Sequence, residues 1–220
     1  MKKILLTGFE PFGGESLNPS EEVCRQLNGA LLARHAVAGA LLPCVFGAVV
    51  KELKHQMKLH EPVLVICTGL AAGRAEITPE RVALNLDDAR IADNAGQQPI
   101  DRPIVKDGPA AYWSTLPVKA IVMELRKRHI PAAVSQTAGT FVCNHVFYAL
   151  MHELTLHHPG VRGGFIHLPC LPEQTTTPLG SEQDARPSLP IDKMIEGVTV
   201  AIETALRYRR DVKAVGGAEA

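Results

Sequence analysis

Thiols and imidazoles are the side chains of this sequence best suited to covalent hydrolysis, and it holds five cysteines and nine histidines. A cysteine hydrolase needs a reactive sulfur, a base within hydrogen-bond reach of it, and a group that fixes the tautomer of the base. The run Ser135-Gln136-Thr137-Ala138-Gly139-Thr140-Phe141-Val142-Cys143-Asn144-His145 has the pattern of a strand end, a turn of small residues and a helix start near Thr140 or Phe141. Cys143 then falls in the first helical turn. Unpaired N–H groups and the positive end of the helix dipole lower a thiol's pKa there. The competing role for any free cysteine is that of a small buried hydrophobe. Cys24, Cys44 and Cys67 lack the helix-start setting, and Cys170, two residues past a strand end, is the rival nucleophile.

Among the histidines, His55, His60, His129, His152, His157 and His158 map to polar helix faces or helix ends, and His35 to a polar turn. His145 follows Cys143 by two positions, and a helix points such residues in different directions. His167 differs, lying inside the apolar run Gly164-Phe165-Ile166-His167-Leu168. An imidazole there is either a core histidine with a partner or a site residue. A carboxylate is the best orienter for it. Glu80, which follows Thr78-Pro79, is one candidate; Asp87, Asp88 and Asp93 compete. Glu80 could equally pair with Arg74 or Arg81, and spacing alone does not choose.

The elements that must position these residues alternate. Strands are expected at Lys3–Thr7, Val37–Leu42, Val63–Cys67, Arg81–Leu86, Ala132–Gln136 and Gly164–Leu168. Helices are expected at Ser20–Leu27 with Ser20 as N-cap, then Phe46–His60, Lys119–His129, Val142–His158 and Ile191–Arg209. Residues 89–110 read as a long loop and 173–189 as a mobile one. Alternation of this kind predicts a single-domain three-layer α/β/α sandwich around a mostly parallel twisted sheet. Sites in such folds collect at the carboxyl ends of strands. One domain is expected over 1–210, with 211–220 a fraying tail.

Lys+Arg and Asp+Glu are both 23, and 46% of residues are hydrophobic. Zero formal charge offers nothing to nucleic acid or an anionic membrane surface. No run approaches the ~20 apolar residues of a membrane span. Lys2-Lys3 precede only three apolar residues before Thr7-Gly8, so no secretory signal is expected. An odd cysteine count without a CxxC pair points to reduced thiols in the cytoplasm and to no metal site. The glycines of Gly8–Gly14 lack both the P-loop ending and a GxGxxG spacing.

Five blocks carry a resemblance. They are Thr7-Gly8-Phe9-Glu10-Pro11-Phe12-Gly13-Gly14 with Asn18-Pro19-Ser20; Gly73-Arg74 through Glu80-Arg81-Val82-Ala83 and Asn85; Asp87-Asp88-Ala89-Arg90 with Asp93-Asn94; Thr137 to Asn144; and Gly164 to Pro169. From the first strand to about Pro172 the chain resembles the pyroglutamyl peptidase I (pyrrolidone-carboxylate peptidase) family of cysteine peptidases. The resemblance implies a Cys143-His167-Glu80 triad that hydrolyses the amide after an N-terminal pyroglutamyl residue of peptides through an acyl-enzyme. It also implies one α/β/α domain, no metal or other cofactor, a cytoplasmic setting and a homo-oligomer, dimer or tetramer.

Pyroglutamate is a neutral lactam without a free α-amine, so its pocket should be apolar with a few directed hydrogen bonds. Phe9 and Phe12 are expected as aromatic walls, with Asn18, Phe141 and Val142 reading the ring amide. Arg90 and the backbone N–H of Cys143 are expected to support the oxyanion. Two stretches depart from the family pattern. Leu70-Ala71-Ala72-Gly73-Arg74 stands where Gln-Ala-Gly-Gly-Arg is common, and Ala92 where Pro is usual. The alternatives are a Cys-His hydrolase of another small amide or lactam, and a non-catalytic binding protein on the same fold.

Overall fold

The computed structural model describes residues 1–175 and 186–217. Its main sheet has six strands: β1 Lys3–Phe9, β2 Leu31–Leu32, β3 His35–Leu42, β4 Leu64–Leu70, β5 Thr78–Pro79 and β8 Arg162–Leu168, in the order β2-β3-β1-β4-β8-β5. The four central strands run parallel, and the short edges β2 and β5 are antiparallel to their neighbours. Strand side chains alternate between faces, and that alternation builds two cores. Ile4, Leu6, Leu64, Ile66, Ile166 and Leu168 face helices α1 (Pro19–Leu27), α3 (Val118–Lys127) and α5 (Ile191–Arg207). Leu5, Phe9, Val65, Cys67 and Phe165 face α2 (Ala48–His60) and α4 (Val142–His157). The result is the expected three-layer sandwich around a mostly parallel sheet.

Helix α4 is the central member of its layer, and every residue from Val142 to Met151 is buried. An apolar surface on all sides is the mark of a helix enclosed by protein. Its polar residues are therefore each given a partner. Tyr148 donates its hydroxyl to Pro109 O at 2.7 Å. Asn144 accepts from Leu84 N at 3.0 Å and donates to Leu84 O and Leu86 O. These bonds explain why the strand expected over Arg81–Leu86 is shorter. It is β6, Val82–Leu84, and it leaves the main sheet to pair with β7, Ala111–Trp113.

The strand expected over Ala132–Gln136 does not form. That segment touches residues 77–80 only through isolated bridges, Ile77 to Ala132 and Glu80 to Ser135. Pro79 between them has no N–H to extend a ladder. The first helix also begins differently. Asn18, not Ser20, is the N-cap: its Oδ1 accepts from Ser20 N at 3.1 Å, and Pro19 opens the helix. Ser20 Oγ donates to the same oxygen at 2.8 Å and accepts from Phe9 N at 3.0 Å, which fastens the helix start to the end of β1. The tail expected to fray is held through Gly216. Asp211 accepts from Lys119 N and Ala120 N at the start of α3, and Gly216 O accepts from Arg81 and Gln136. The expected mobile loop, 173–189, lies largely outside the described residues.

Asn18→Ala removes a cap and leaves the buried Ser20 hydroxyl without its acceptor. The expected loss is about 1–2 kcal/mol of stability, read as a lower urea midpoint at unchanged slope.

Candidate active site

Three segments meet at the carboxyl end of β8. Strand β8 pairs with β4 on one side, Gly69 opposite His167, and with β5 on the other, Thr78 opposite His167. The chain leaves β5 directly into Glu80, whose backbone N–H donates to Phe165 O at 2.9 Å. That register brings the Glu80 carboxylate beside the imidazole. Glu80 Oε1 accepts from His167 Nδ1 at 2.7 Å. With the Nδ1 proton given to the carboxylate, the neutral ring keeps its Nε2 lone pair free. Glu80 has no solvent exposure, and its Oε2 has no hydrogen-bond partner among the described residues.

A buried carboxylate facing a neutral imidazole alone carries an uncompensated charge. Arg74, from the loop after β4, supplies the balance. Its guanidinium donates to Glu80 Oε1 at 2.6 Å, to Thr78 Oγ1 at 2.7 Å and to Thr137 O at 2.9 Å. The two readings of Glu80, histidine orienter and partner of Arg74, thus both hold in the geometry. Asp87, Asp88 and Asp93 are used elsewhere or not at all. Asp93 is buried and accepts from Phe46 N, Ala95 N and Gln97 N, which fixes the 93–97 loop. Asp87 accepts from His145 Nδ1 at 2.8 Å. His145 Nε2 in turn accepts from Gly47 N at 3.2 Å, so this second histidine has both ring nitrogens occupied.

Cys143 is the second residue of α4. Gly139, at φ 77°, turns the chain into the helix in a conformation that a side chain would strain. Phe141 occupies the N-cap position without a side-chain cap bond, so the first N–H groups of α4 are left to face the site. The sulfur reaches β4: a Cβ built on Gly69 would stand 3.0 Å from Cys143 Sγ and 2.8 Å from the Phe165 ring. Gly69 is itself opposite His167 in the ladder, which places sulfur and imidazole at the same level of the sheet.

The environment of the thiol differs from the sequence expectation. Burial pushes the Cys143 thiol well above its ordinary value, with the charge of Glu80 adding to the effect and Arg74 opposing it. The helix dipole does not overcome desolvation in a side chain only 9% exposed. Burial thus favours the protonated thiol at Cys143, and a nearby base would be needed to draw out its proton. Cys170, the rival, is fully buried and directs its Sγ toward Ala72 O at 3.7 Å. All five cysteines are free and buried.

The expected binding residues separate into groups. Phe12 and Phe141 pack with ring centroids 5.8 Å apart, and Phe46, expected only as the start of a helix, stands edge-on to Phe141 at 5.5 Å. These three rings form an aromatic cluster at Phe141, the N-cap of α4. Phe9 is 1% exposed and packs against Phe165 in the core, so it backs the site and does not wall it. Val142 is fully buried, leaving only its backbone to a ligand. Asn18 is buried, and its amide is committed to Ser20 and Glu10. Arg90 is exposed and its guanidinium has no partner among the described residues. Leu70 is buried at the end of β4 opposite Leu168. Gly69 and Phe46 were legible only weakly: a glycine closing an apolar strand signals close approach, and an aromatic after a strand end signals a wall.

No three or more His, Cys, Asp or Glu side chains are grouped to hold a metal ion among the described residues, and none of the described helices is long and apolar enough to cross a membrane.

A sequence model of a family described as pyroglutamyl peptidase matches residues 2–208. A pyrrolidone-carboxylate peptidase of Cupriavidus taiwanensis is 54% identical over 218 residues, 99% of each chain. One of Bacillus velezensis is 51% identical over 216 residues, 98% of each. Among solved structures, the pyroglutamyl peptidase I of Bacillus amyloliquefaciens superposes with a TM-score of 0.91 at 51% identity, covering 96% of this chain and all of that one. The pyrrolidone carboxyl peptidase of Thermococcus litoralis gives 0.94 at 39% identity, covering 98% and 100%.

Two measurements follow from this geometry. Gly69→Ala forces its Cβ against the sulfur or the Phe165 ring, and is expected to lower the alkylation rate of Cys143 by iodoacetamide at least severalfold in a folded protein. In the parent chain, the Cys143 alkylation rate should keep climbing as pH rises through the alkaline range, without a plateau near neutrality, because burial holds the thiol protonated.

Proposed function

This chain belongs to the pyroglutamyl peptidase family, and on that premise we propose how it acts: it is a cysteine peptidase that removes N-terminal pyroglutamate, with Cys143 as nucleophile, His167 as base and Glu80 holding the histidine. The observation that carries the residue assignment is the Glu80–His167 hydrogen bond of 2.7 Å, buried at the strand end where the sulfur of Cys143 lies against Gly69.

The substrate carbonyl lies over the first turn of α4. His167 Nε2 takes the proton of the Cys143 thiol as sulfur bonds to the carbonyl carbon, and the carbonyl oxygen gains the negative charge. The Cys143 N–H and the positive end of α4 stabilise that oxyanion where it forms. His167 then returns its proton to the departing amine as the C–N bond breaks, leaving the pyroglutamyl group as a thioester on Cys143. Water attacks this carbonyl with His167 again as base; the C–S bond then breaks, the proton on His167 returns to the Cys143 sulfur, and the free acid leaves. Glu80 accepts from Nδ1 throughout, which fixes the tautomer and stabilises the transient imidazolium. Arg90, exposed and free of internal partners among the described residues, is available to approach the oxyanion or the peptide beyond it.

Recognition follows from the chemistry of the lactam. A five-membered ring with one amide and no charge is suited to lie against the paired rings of Phe12 and Phe141, which Phe46 supports edge-on. Nothing in this wall offers a carboxylate to an α-ammonium, so an ordinary N-terminal residue would leave its charge unpaired. The proposed setting is the cytoplasm, which suits five free thiols. The proposed assembly is a homodimer or homotetramer.

Release of a fluorescent amine from a pyroglutamyl amide under reducing conditions tests the assignment. Cys143→Ser is expected to lose roughly 10³-fold or more in kcat/KM at unchanged stability, while Cys170→Ser stays within a fewfold of the parent. Activity that survives in Cys143→Ser removes it as nucleophile. A parent chain inactive on this substrate returns attention to other small amides, with Leu70→Gln as the variant to compare.

A further inference from the structure

Arg74 stands outside the three residues assigned to the reaction, yet its side chain bonds both Glu80 and the turn that precedes Cys143. We propose that Arg74 is a positioning residue that keeps His167 in its basic form and couples the Glu80 carboxylate to the turn that delivers Cys143. This inference rests on the assignment of His167 as base but not on the identity of the substrate.

Glu80 Oε1 accepts from two donors, His167 Nδ1 at 2.7 Å and Arg74 at 2.6 Å, while Oε2 is buried without a partner among the described residues. Two groups therefore compete for the same oxygen. Without Arg74, the buried pair of carboxylate and neutral imidazole would hold one net negative charge with no exposure on the carboxylate. Such a pair gains by binding a proton, and the proton would rest on His167. An imidazolium cannot take the Cys143 proton. The Arg74 guanidinium supplies the missing positive charge permanently, since it does not titrate in the working range. The triplet is neutral when His167 is neutral, and protonating His167 would place a second cation against the same oxygen.

The titratable and charged groups around the Glu80–His167 pair are few. Glu80, from the segment after β5, bonds His167; Arg74, from the loop after β4, bonds Glu80; and the Cys143 sulfur, from α4, lies against Gly69, the residue opposite His167. Cys44 and Cys67, the other titratable groups that bear on the sulfur, are held as thiols by burial. The nearest ring is that of Phe165 on its own strand, with centroids 4.8 Å apart. Arg74 is thus the one positive side chain among the described residues that bonds to the Glu80–His167 pair.

Arg74 also acts mechanically, through its donation to Thr137 O at 2.9 Å. Thr137 in turn accepts from Gly139 N through its hydroxyl at 3.0 Å, and Gly139 is the residue that bends the chain into α4. The same guanidinium therefore joins the carboxylate that orients the base to the turn that sets the height of the sulfur. Its planar, forked donors make this possible, because one nitrogen serves Glu80 and Thr78 while the other serves Thr137.

The test separates charge from anchoring. Arg74→Gln removes the charge; Arg74→Lys keeps it but cannot span Glu80 and Thr137 together. The readouts are the pH dependence of kcat/KM on a pyroglutamyl amide and the NMR titration of the His167 imidazole, assigned by its absence in His167→Gln. Activity needs neutral His167, so a raised imidazole pKa moves the acid limb to higher pH. Arg74→Gln is expected to shift both the limb and the titration upward by about 1 pH unit. Arg74→Lys should leave both in place while lowering kcat severalfold. A native limb and titration in Arg74→Gln, or an equal upward shift in Arg74→Lys, overturns the proposal. Should Arg74→Gln fail to fold, an unshifted Arg74→Lys titration supports the proposal and one displaced upward to a similar extent sinks it. A parent inactive on pyroglutamyl amides defeats the substrate reading alone, since the imidazole titration still decides the role of Arg74.

Discussion

A carboxylate with no contact to water is the constraint from which most of this structure can be reasoned. Glu80 can stay ionised only where donors reach it, and the elements that bring them come from three directions. His167 must lie in the strand beside it, which requires β5 to pair with β8. Arg74 must return from the end of β4 with its guanidinium turned inward. The turn before α4 must then present Thr137 O to that guanidinium. Any fold that satisfies Glu80 in this way has already brought His167 and Cys143 to one end of the sheet. Stability and chemistry are here the same set of contacts, which also means that a change at Glu80 or Arg74 disturbs both at once.

The Cys143 sulfur and the His167 imidazole are held by opposite kinds of force. Cys143 is placed by packing: an apolar helix, an aromatic wall and a bare glycine on β4 leave it one location. His167 is placed by charge and hydrogen bonding. A parallel device sits nearby on α4, where Asp87 and Gly47 N hold His145 by both nitrogens and the ring stands edge-on to Phe46 at 5.3 Å. That imidazole links the loop of Asp87 to the start of α2 and to the aromatic cluster of Phe46 and Phe141. It shows how a histidine can be polar, buried and bonded through both nitrogens within two residues of Cys143.

Much of this was legible in the sequence because periodicity and local chemistry report on backbone and burial. The alternating apolar runs located the four central strands, and the small-residue turn before Cys143 located the start of α4. The elements misread were those whose fate depends on distant groups. Arg81–Leu86 alternates well enough for a long strand, but Asn144 takes the backbone groups of Leu84 and Leu86. Ala132–Gln136 is apolar enough for a strand, but its neighbour contains Pro79. Ser20 is a good N-cap residue, yet Asn18 precedes a proline that is better placed to open the helix. Within the site, no spacing rule could separate Glu80 from the three nearby aspartates, because their partners are set by tertiary register. Resemblance to a family made that distinction where residue patterns could not. The titration of the thiol was out of reach of the sequence for a related reason: helix position is local and readable, whereas desolvation is a property of the finished core.

The order of strands carries a consequence for how quickly the enzyme can come into being. β1 is flanked by β3 and β4, and β4 waits for β8, which arrives only after α3 and α4 have been laid down between them. The bond that defines the site joins residues 87 positions apart. Contacts of such long range carry a large loop-closure entropy before they return any stabilisation, and chains dominated by them cross their folding barrier slowly. The edge β5, only two residues long, cannot dock until β8 is in place. Peptidase activity is therefore among the last properties this chain acquires as it folds. A newly made copy stays inert toward surrounding peptides until its sheet is complete, so recovery of turnover after denaturation would track the rate of global assembly.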